Sequence, residues 1–161
     1  MTIAPIEITV SVKAPPARAF EMFTRDIGAW WPKGKTIGAS PHAQIVIEPR
    51  AEGRWFERDG DGAETQWGKV LTWDPPGRLV LGWQLDAAFK FDPNFLTEVE
   101  LAFEAAGEGK TRVTLTHRNL ERYGDNAEKV AASLAGGWPS RLKNFADFAA
   151  DRPAEQKEIS R

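Results

Sequence analysis

The chain has 161 residues, 42% hydrophobic and 27% charged, with 21 Lys and Arg against 23 Asp and Glu and a net charge of −2. This is the composition of one globular domain, long enough to bury roughly 68–70% of its unfolded surface. A near-neutral chain lacks the basic face that phosphate backbones demand, so nucleic acid is disfavoured as a partner. The absence of cysteine removes disulfides, thiol nucleophiles and thiolate metal sites.

No apolar run approaches the ~18 residues of a membrane span, and Met1-Thr2-Ile3-Ala4-Pro5 is not the opening of a secretion signal. A cytoplasmic location is expected. The aromatic content is unusual: 7 Trp and 9 Phe stand beside one Tyr, which favours large apolar surfaces.

In chain order, Ile6, Ile8, Val10 and Val12 alternate with polar residues, the period of a half-buried strand. Ala14-Pro15-Pro16 ends it and opens a helix, where a first-turn proline forfeits no hydrogen bond. Ala19, Phe20, Phe23 and Ile27 then recur at helical spacing. Asp26 is placed to cap a second short helix carrying Trp30 and Trp31, ended by Pro32 and Gly34. Lys33 to Pro41 reads as loop, and His42 as an exposed loop histidine.

From residue 43 to about 119 the period becomes two. Ile45 to Ile47, Arg54 to Arg58, Thr65 to Trp73, Leu79 to Trp83, Thr97 to Glu104 and Thr111 to His117 read as successive strands. Short turns such as Asp59-Gly60-Asp61-Gly62 and Asp74-Pro75-Pro76-Gly77 join them, which makes most neighbours antiparallel. Val130, Leu134, Trp138, Leu142, Phe145 and Ala149 then follow three- and four-residue steps, a long amphipathic helix. Asp125 or Asn126 is placed to cap it, and Gly136-Gly137 with Pro139 predicts a kink or widening near Trp138. Residues 1–150 are expected to form one domain, and 151–161 a polar tail. The layout is α+β: a curved antiparallel sheet of about seven strands wrapped around a long C-terminal helix, with two short helices after the first strand.

The chain has no Gly-rich phosphate loop, no Gly-x-Ser-x-Gly elbow and no His-Glu-x-x-His pair. With only His42 and His117, no multi-histidine metal site is expected. Alternation places His117 on the face of Val113 and Leu115, pointing inward, where burial lowers its pKa. Glu98, Glu100 and Glu104 fall on the opposite, solvated face, and Arg25-Asp26 with Arg54 and Arg58 read as surface charge. Trp31, Trp83 and Trp138 come from distant elements and meet only in the interior, as core packing or as walls of an aromatic pocket.

The segment from Trp67-Gly68-Lys69-Val70 through Asp74-Pro75-Pro76-Gly77 to Leu81-Gly82-Trp83 resembles the homologues of the activator of the 90-kDa heat-shock-protein ATPase, a family of the SRPBCC or START-like superfamily. Ala14 to Phe20, Thr111 to His117, and Gly137-Trp138-Pro139 followed by Leu142 agree, so the resemblance covers about residues 5 to 150. It implies a helix-grip fold around a deep hydrophobic cavity. It fixes no reaction and transfers no catalytic residue.

The expected function is binding of a small hydrophobic or aromatic molecule between sheet and terminal helix. The expected lining is Trp31, Leu81, Trp83, Val99, Leu101, Val113, Leu115, His117, Trp138, Leu142 and Phe145, with His117 as the polar contact. No cofactor and no metal are expected. A cyclase- or hydrolase-like enzyme using His117 as acid or base is the alternative, and a chaperone-associated interaction protein a third. A homodimer is possible.

Overall fold

A computed structural model describes residues 3–32 and 42–151, except for the side chains of residues 42 and 43. The loop reading of Lys33 to Pro41, the role of Gly34 and the tail beyond Asp151 lie outside the described residues. Strand β1 (Ile6–Val12) is followed by helices α1 (Pro16–Thr24) and α2 (Ile27–Trp30). Six strands come next: β2 (His42–Ile47), β3 (Arg54–Asp59), β4 (Glu64–Asp74), β5 (Arg78–Trp83), β6 (Thr97–Ala105) and β7 (Thr111–Arg118). A 3₁₀ segment over Leu120–Asn126 leads into helix α3 (Ala127–Ala150).

The seven strands form one sheet in the order β1-β7-β6-β5-β4-β3-β2, every neighbouring pair antiparallel. The chain therefore crosses from one sheet edge to the other through α1 and α2, then returns strand by strand until β7 lies beside β1. Register aligns Val70 with Leu81, Leu81 with Val99, Val99 with His117 and His117 with Ile6, so one row of side chains crosses the concave face. Onto that face α3 lays Val130, Leu134, Trp138, Leu142, Phe145 and Ala149, all buried. Sheet and helix thus form the wrapped layout read from the periodicities, which is the helix-grip arrangement that the resemblance implies.

Several local details differ from the sequence reading. Ile27 belongs to α2 instead of continuing α1, because the chain turns at Arg25 and Asp26, and Trp31 is an extended residue just past α2. Asp26 precedes α2 without capping it, since its carboxylate is drawn to Arg25 Nε at 3.1 Å. His42 begins β2 in place of a loop position, because Asp59 across on β3 extends the pairing that far. Asn126 sits at the start of α3 without a side-chain cap bond, and the helix runs as one 24-residue element through Pro139.

The interior divides into two ends. At one, Phe20, Phe23, Phe103 and Phe145 meet with ring centroids 5.1–6.1 Å apart, and Trp30 joins them while donating its indole N–H to the Met22 carbonyl. The other end belongs to tryptophan.

One close approach fixes the middle of the sheet. Gly68 on β4 pairs with Trp83 on β5, and a Cβ at Gly68 would overlap the carbonyl oxygen of Gly82. That neighbour is backbone and has no rotamer to yield. Gly68→Ala is therefore expected to destabilise the fold by about 1–3 kcal/mol and lower its melting temperature by roughly 3–10 °C. Calorimetry checks this, and an unchanged melting temperature would contradict the register.

Candidate functional site

Five tryptophans, four from different elements and one just past α2, converge beneath the middle of α3. Trp31 follows α2, Trp55 lies on β3, Trp67 on β4, Trp83 on β5 and Trp138 on α3, and all are buried. Their rings form a connected mesh: Trp31 lies 5.0 Å from Trp67 and 6.0 Å from Trp138, Trp55 lies 5.5 Å from Trp67, and Trp83 lies 5.6 Å from Trp138. Most contacts are edge-on or tilted, the arrangement that the ring quadrupoles favour.

His117 sits against this mesh, its ring 5.2 Å from that of Trp83. The Trp138 indole N–H donates to His117 Nδ1 at 3.1 Å, and His117 Nε2 lies 2.8 Å from Thr97 Oγ1. An indole nitrogen only donates, so Nδ1 must be the acceptor and the imidazole proton resides on Nε2, facing Thr97. Full burial holds the imidazole neutral, pushing its pKa from the usual 6.5 down to about 3.

The eleven residues expected to line a pocket are all buried, and all lie on the concave face of the sheet, on α3 or at Trp31. The sequence reading missed Trp55, Trp67 and Glu57 as members of the same cluster. Glu57 is 1% exposed, and its carboxylate accepts the Trp67 indole N–H at 2.7 Å. Two-residue alternation from Trp55 puts Glu57 on the inner face, so the signal was present; a charged residue type masked it. Trp55 and Trp83, whose rings lie 5.8 Å apart, differ from Trp67 and Trp138, since their indole nitrogens are buried with no hydrogen-bond acceptor.

Arg141, one turn beyond Trp138 on α3, spreads its guanidinium 4.9 Å from the Trp31 ring and 5.6 Å from that of Trp138. These are cation–π distances. Burial lowers its pKa, and its Nε is shielded from solvent without an acceptor.

The outer face has the opposite character. Glu100 accepts from Arg78 and Arg118, which hold its pKa below the usual carboxylate range, the Arg78 hydrogen bond foremost. Arg54 and Arg58 share Glu64 and lie over the Phe56 ring. The carboxylates read as solvated are therefore outward-facing and paired with arginine.

A groove of about 820 Å³ opens elsewhere, between α1, α2 and the free edge of β2. Phe20, Ile47 and Trp73 supply apolar surface, and Glu21, Arg25 and Asp26 form ion pairs along it. None of the eleven expected lining residues borders this groove.

The neutral His117 gives a signed pH dependence. Its folded pKa lies below its unfolded value, so its contribution to stability is complete above about pH 6.5 and is lost as pH falls toward 3. Within that window the slope is about 1.4 kcal/mol per pH unit. Urea unfolding at pH 7, 5 and 4 is expected to show this slope in the wild type and a shallower one in His117→Gln. Equal slopes would mean that His117 titrates normally.

The chain matches the family described as Activator of Hsp90 ATPase homolog 1-like protein over residues 13–150. Among solved structures, it is similar to an anthrahydroquino-γ-pyrone synthase, with 36% identity, 91% of this chain and 97% of that one covered, and a TM-score of 0.65. It is also similar to CalC, a self-sacrificing resistance protein from Micromonospora echinospora, with 31% identity, 94% and 97% coverage, and a TM-score of 0.73. The Aha1 dimer of Colwellia psychrerythraea, 19% identical over 91% of this chain and 96% of that one with a TM-score of 0.62, shares the fold. No curated protein matches. A match over residues 13–150, joined to a seven-stranded sheet gripping its C-terminal helix, places the chain in the Activator of Hsp90 ATPase homolog 1-like family of SRPBCC proteins.

Proposed function

We propose that the chain binds a small aromatic molecule between the sheet and α3, at the tryptophan end of the interior. Residues 1–150 would form the binding domain and 151–161 a tail outside it. The observation that carries this reading is Trp55: a buried indole N–H without an acceptor, inside an aromatic mesh. The adjoining Trp83 indole is likewise without one, whereas those of Trp67 and Trp138 each have an acceptor. An unmet buried donor costs about 1–3 kcal/mol, and a ligand carbonyl arriving beside it recovers that loss.

A flat ring system suits the cluster, because an intruding ring can replace indole edges with contacts of similar strength. The relative at 36% identity supports the chemical class, since it is named as an anthrahydroquino-γ-pyrone synthase. Acid–base catalysis by His117 has less support, because both ring nitrogens are engaged and the imidazole is held neutral. A second reading places the ligand in the groove beside β2, whose volume of about 820 Å³ falls within the usual range for small-molecule sites.

Tryptophan emission distinguishes the two. Titration with anthraquinone-2-carboxylate and with its neutral amide is expected to give saturable quenching, together with a higher melting temperature. Trp73→Phe, which alters the groove, should leave the dissociation constant unchanged, whereas Trp55→Phe should weaken it at least fivefold. Loss of binding in Trp73→Phe alone would move the site to the groove. Failure of both probes to bind the wild type would overturn the reading.

A further inference from the structure

Every other arginine among the described residues has an acidic or carbonyl partner. The pairs run from Arg18 with Glu21 to Arg118 with Glu98 and Glu100, and Arg122 donates to the Leu96 carbonyl. Arg141 has neither. No described carboxylate pairs with it, and its Nε is shielded from solvent and unmet. Its side-chain contacts are the faces of Trp31 and Trp138, two members of the tryptophan mesh.

The helix makes room for this placement. Gly137 lies one turn before Arg141, and a Cβ there would collide with Arg141 Nη1, so the guanidinium folds back over the bare surface of Gly137. It is thereby held against the aromatic cluster instead of extending into solvent. A planar cation with free N–H groups, stacked on aromatic walls, matches a carboxylate or phenolate joined to an aromatic ring. Charge-assisted, two-pronged hydrogen bonds recognise the acid while the ring contacts the indoles.

On the reading that the tryptophan end holds an aromatic ligand, we propose that Arg141 makes this an acid-selective site, its ligand an aromatic molecule bearing a carboxylate or phenolate oxygen. Gly137 positions that contact. The guanidinium binds charge and takes part in no bond-making step.

Anthraquinone-2-carboxylate and anthraquinone-2-carboxamide share the ring system and differ in charge, so their affinity ratio isolates the contribution of Arg141. The wild type is expected to bind the acid at least tenfold more tightly than the amide. Arg141→Met retains the apolar stem and should bring the ratio near one, chiefly by weakening the acid. Gly137→Ala, which favours helix and displaces only the tip of Arg141, should reduce the ratio while near-ultraviolet circular dichroism confirms native packing. Equal binding of both probes by the wild type, or a ratio that survives Arg141→Met, would overturn acid selection while leaving the aromatic pocket in place. Failure of both probes to bind the wild type would overturn both.

Discussion

The hydrogen bond from the Trp138 indole to His117 Nδ1 fixes how α3 sits on the sheet. An apolar stripe at three- and four-residue spacing would fit a concave apolar face almost as well after sliding by a turn, because dispersion and burial have little direction. A buried donor and acceptor do not tolerate that slip. Through its other nitrogen, His117 is tied to Thr97, so one imidazole joins α3, β7 and β6. The link requires a neutral ring with its proton on Nε2, and complete burial enforces that state. Trp138, so anchored, brings its ring edge against Trp31 and Trp83 and gives the tryptophan mesh its centre.

The large features of this arrangement were legible because they are matters of period. Alternation along β6 and β7 put Val99, Leu101, Val113, Leu115 and His117 on one face, and the register confirms that they share it. The stripe on α3 was equally clear, and the resemblance carried by Trp67 to Trp83 pointed to the same family as the match over residues 13–150. Finer boundaries depended on tertiary partners that a local window does not contain. Asp26 had the chemistry of a helix cap, but Arg25 beside it captured the carboxylate. His42 lay between loop-like neighbours, but Asp59 drew it into a strand pair.

The candidate site was legible only in part, and for a different reason. Periodicity reports which side chains face inward, and the same residues line a pocket or fill it. What separates the cases is whether their polar atoms find partners, a property of three-dimensional neighbours. Trp55 and Glu57 share a face two residues apart, yet the sequence does not disclose that Trp67 donates to Glu57 while Trp55 is left without an acceptor. Arg141 stands beside Leu142 of the α3 stripe, and nothing in the sequence singles it out. Its lack of a carboxylate is apparent only once every other described arginine is seen to have a partner.

The two ends of the interior supply an internal comparison. The phenylalanine end needs nothing further: its phenyl rings carry no hydrogen-bonding atoms, and Trp30, its buried indole, is satisfied by the Met22 carbonyl. It is a core in the ordinary sense, stabilised by burial alone. The tryptophan end has the same closeness of packing but a surplus of donors, with unmet indoles at Trp55 and Trp83 and an unmet guanidinium nitrogen at Arg141. A sequence selected only for stability would be expected to replace such groups with apolar residues of similar volume, since removing an unpaired buried donor is neutral or favourable. All three lie at one end of one cluster, around an imidazole that already has its partners, which is the chemistry that the proposed binding of acceptor oxygens requires. On the proposed reading, the family fold supplies the enclosure and these particular side chains determine what it recognises.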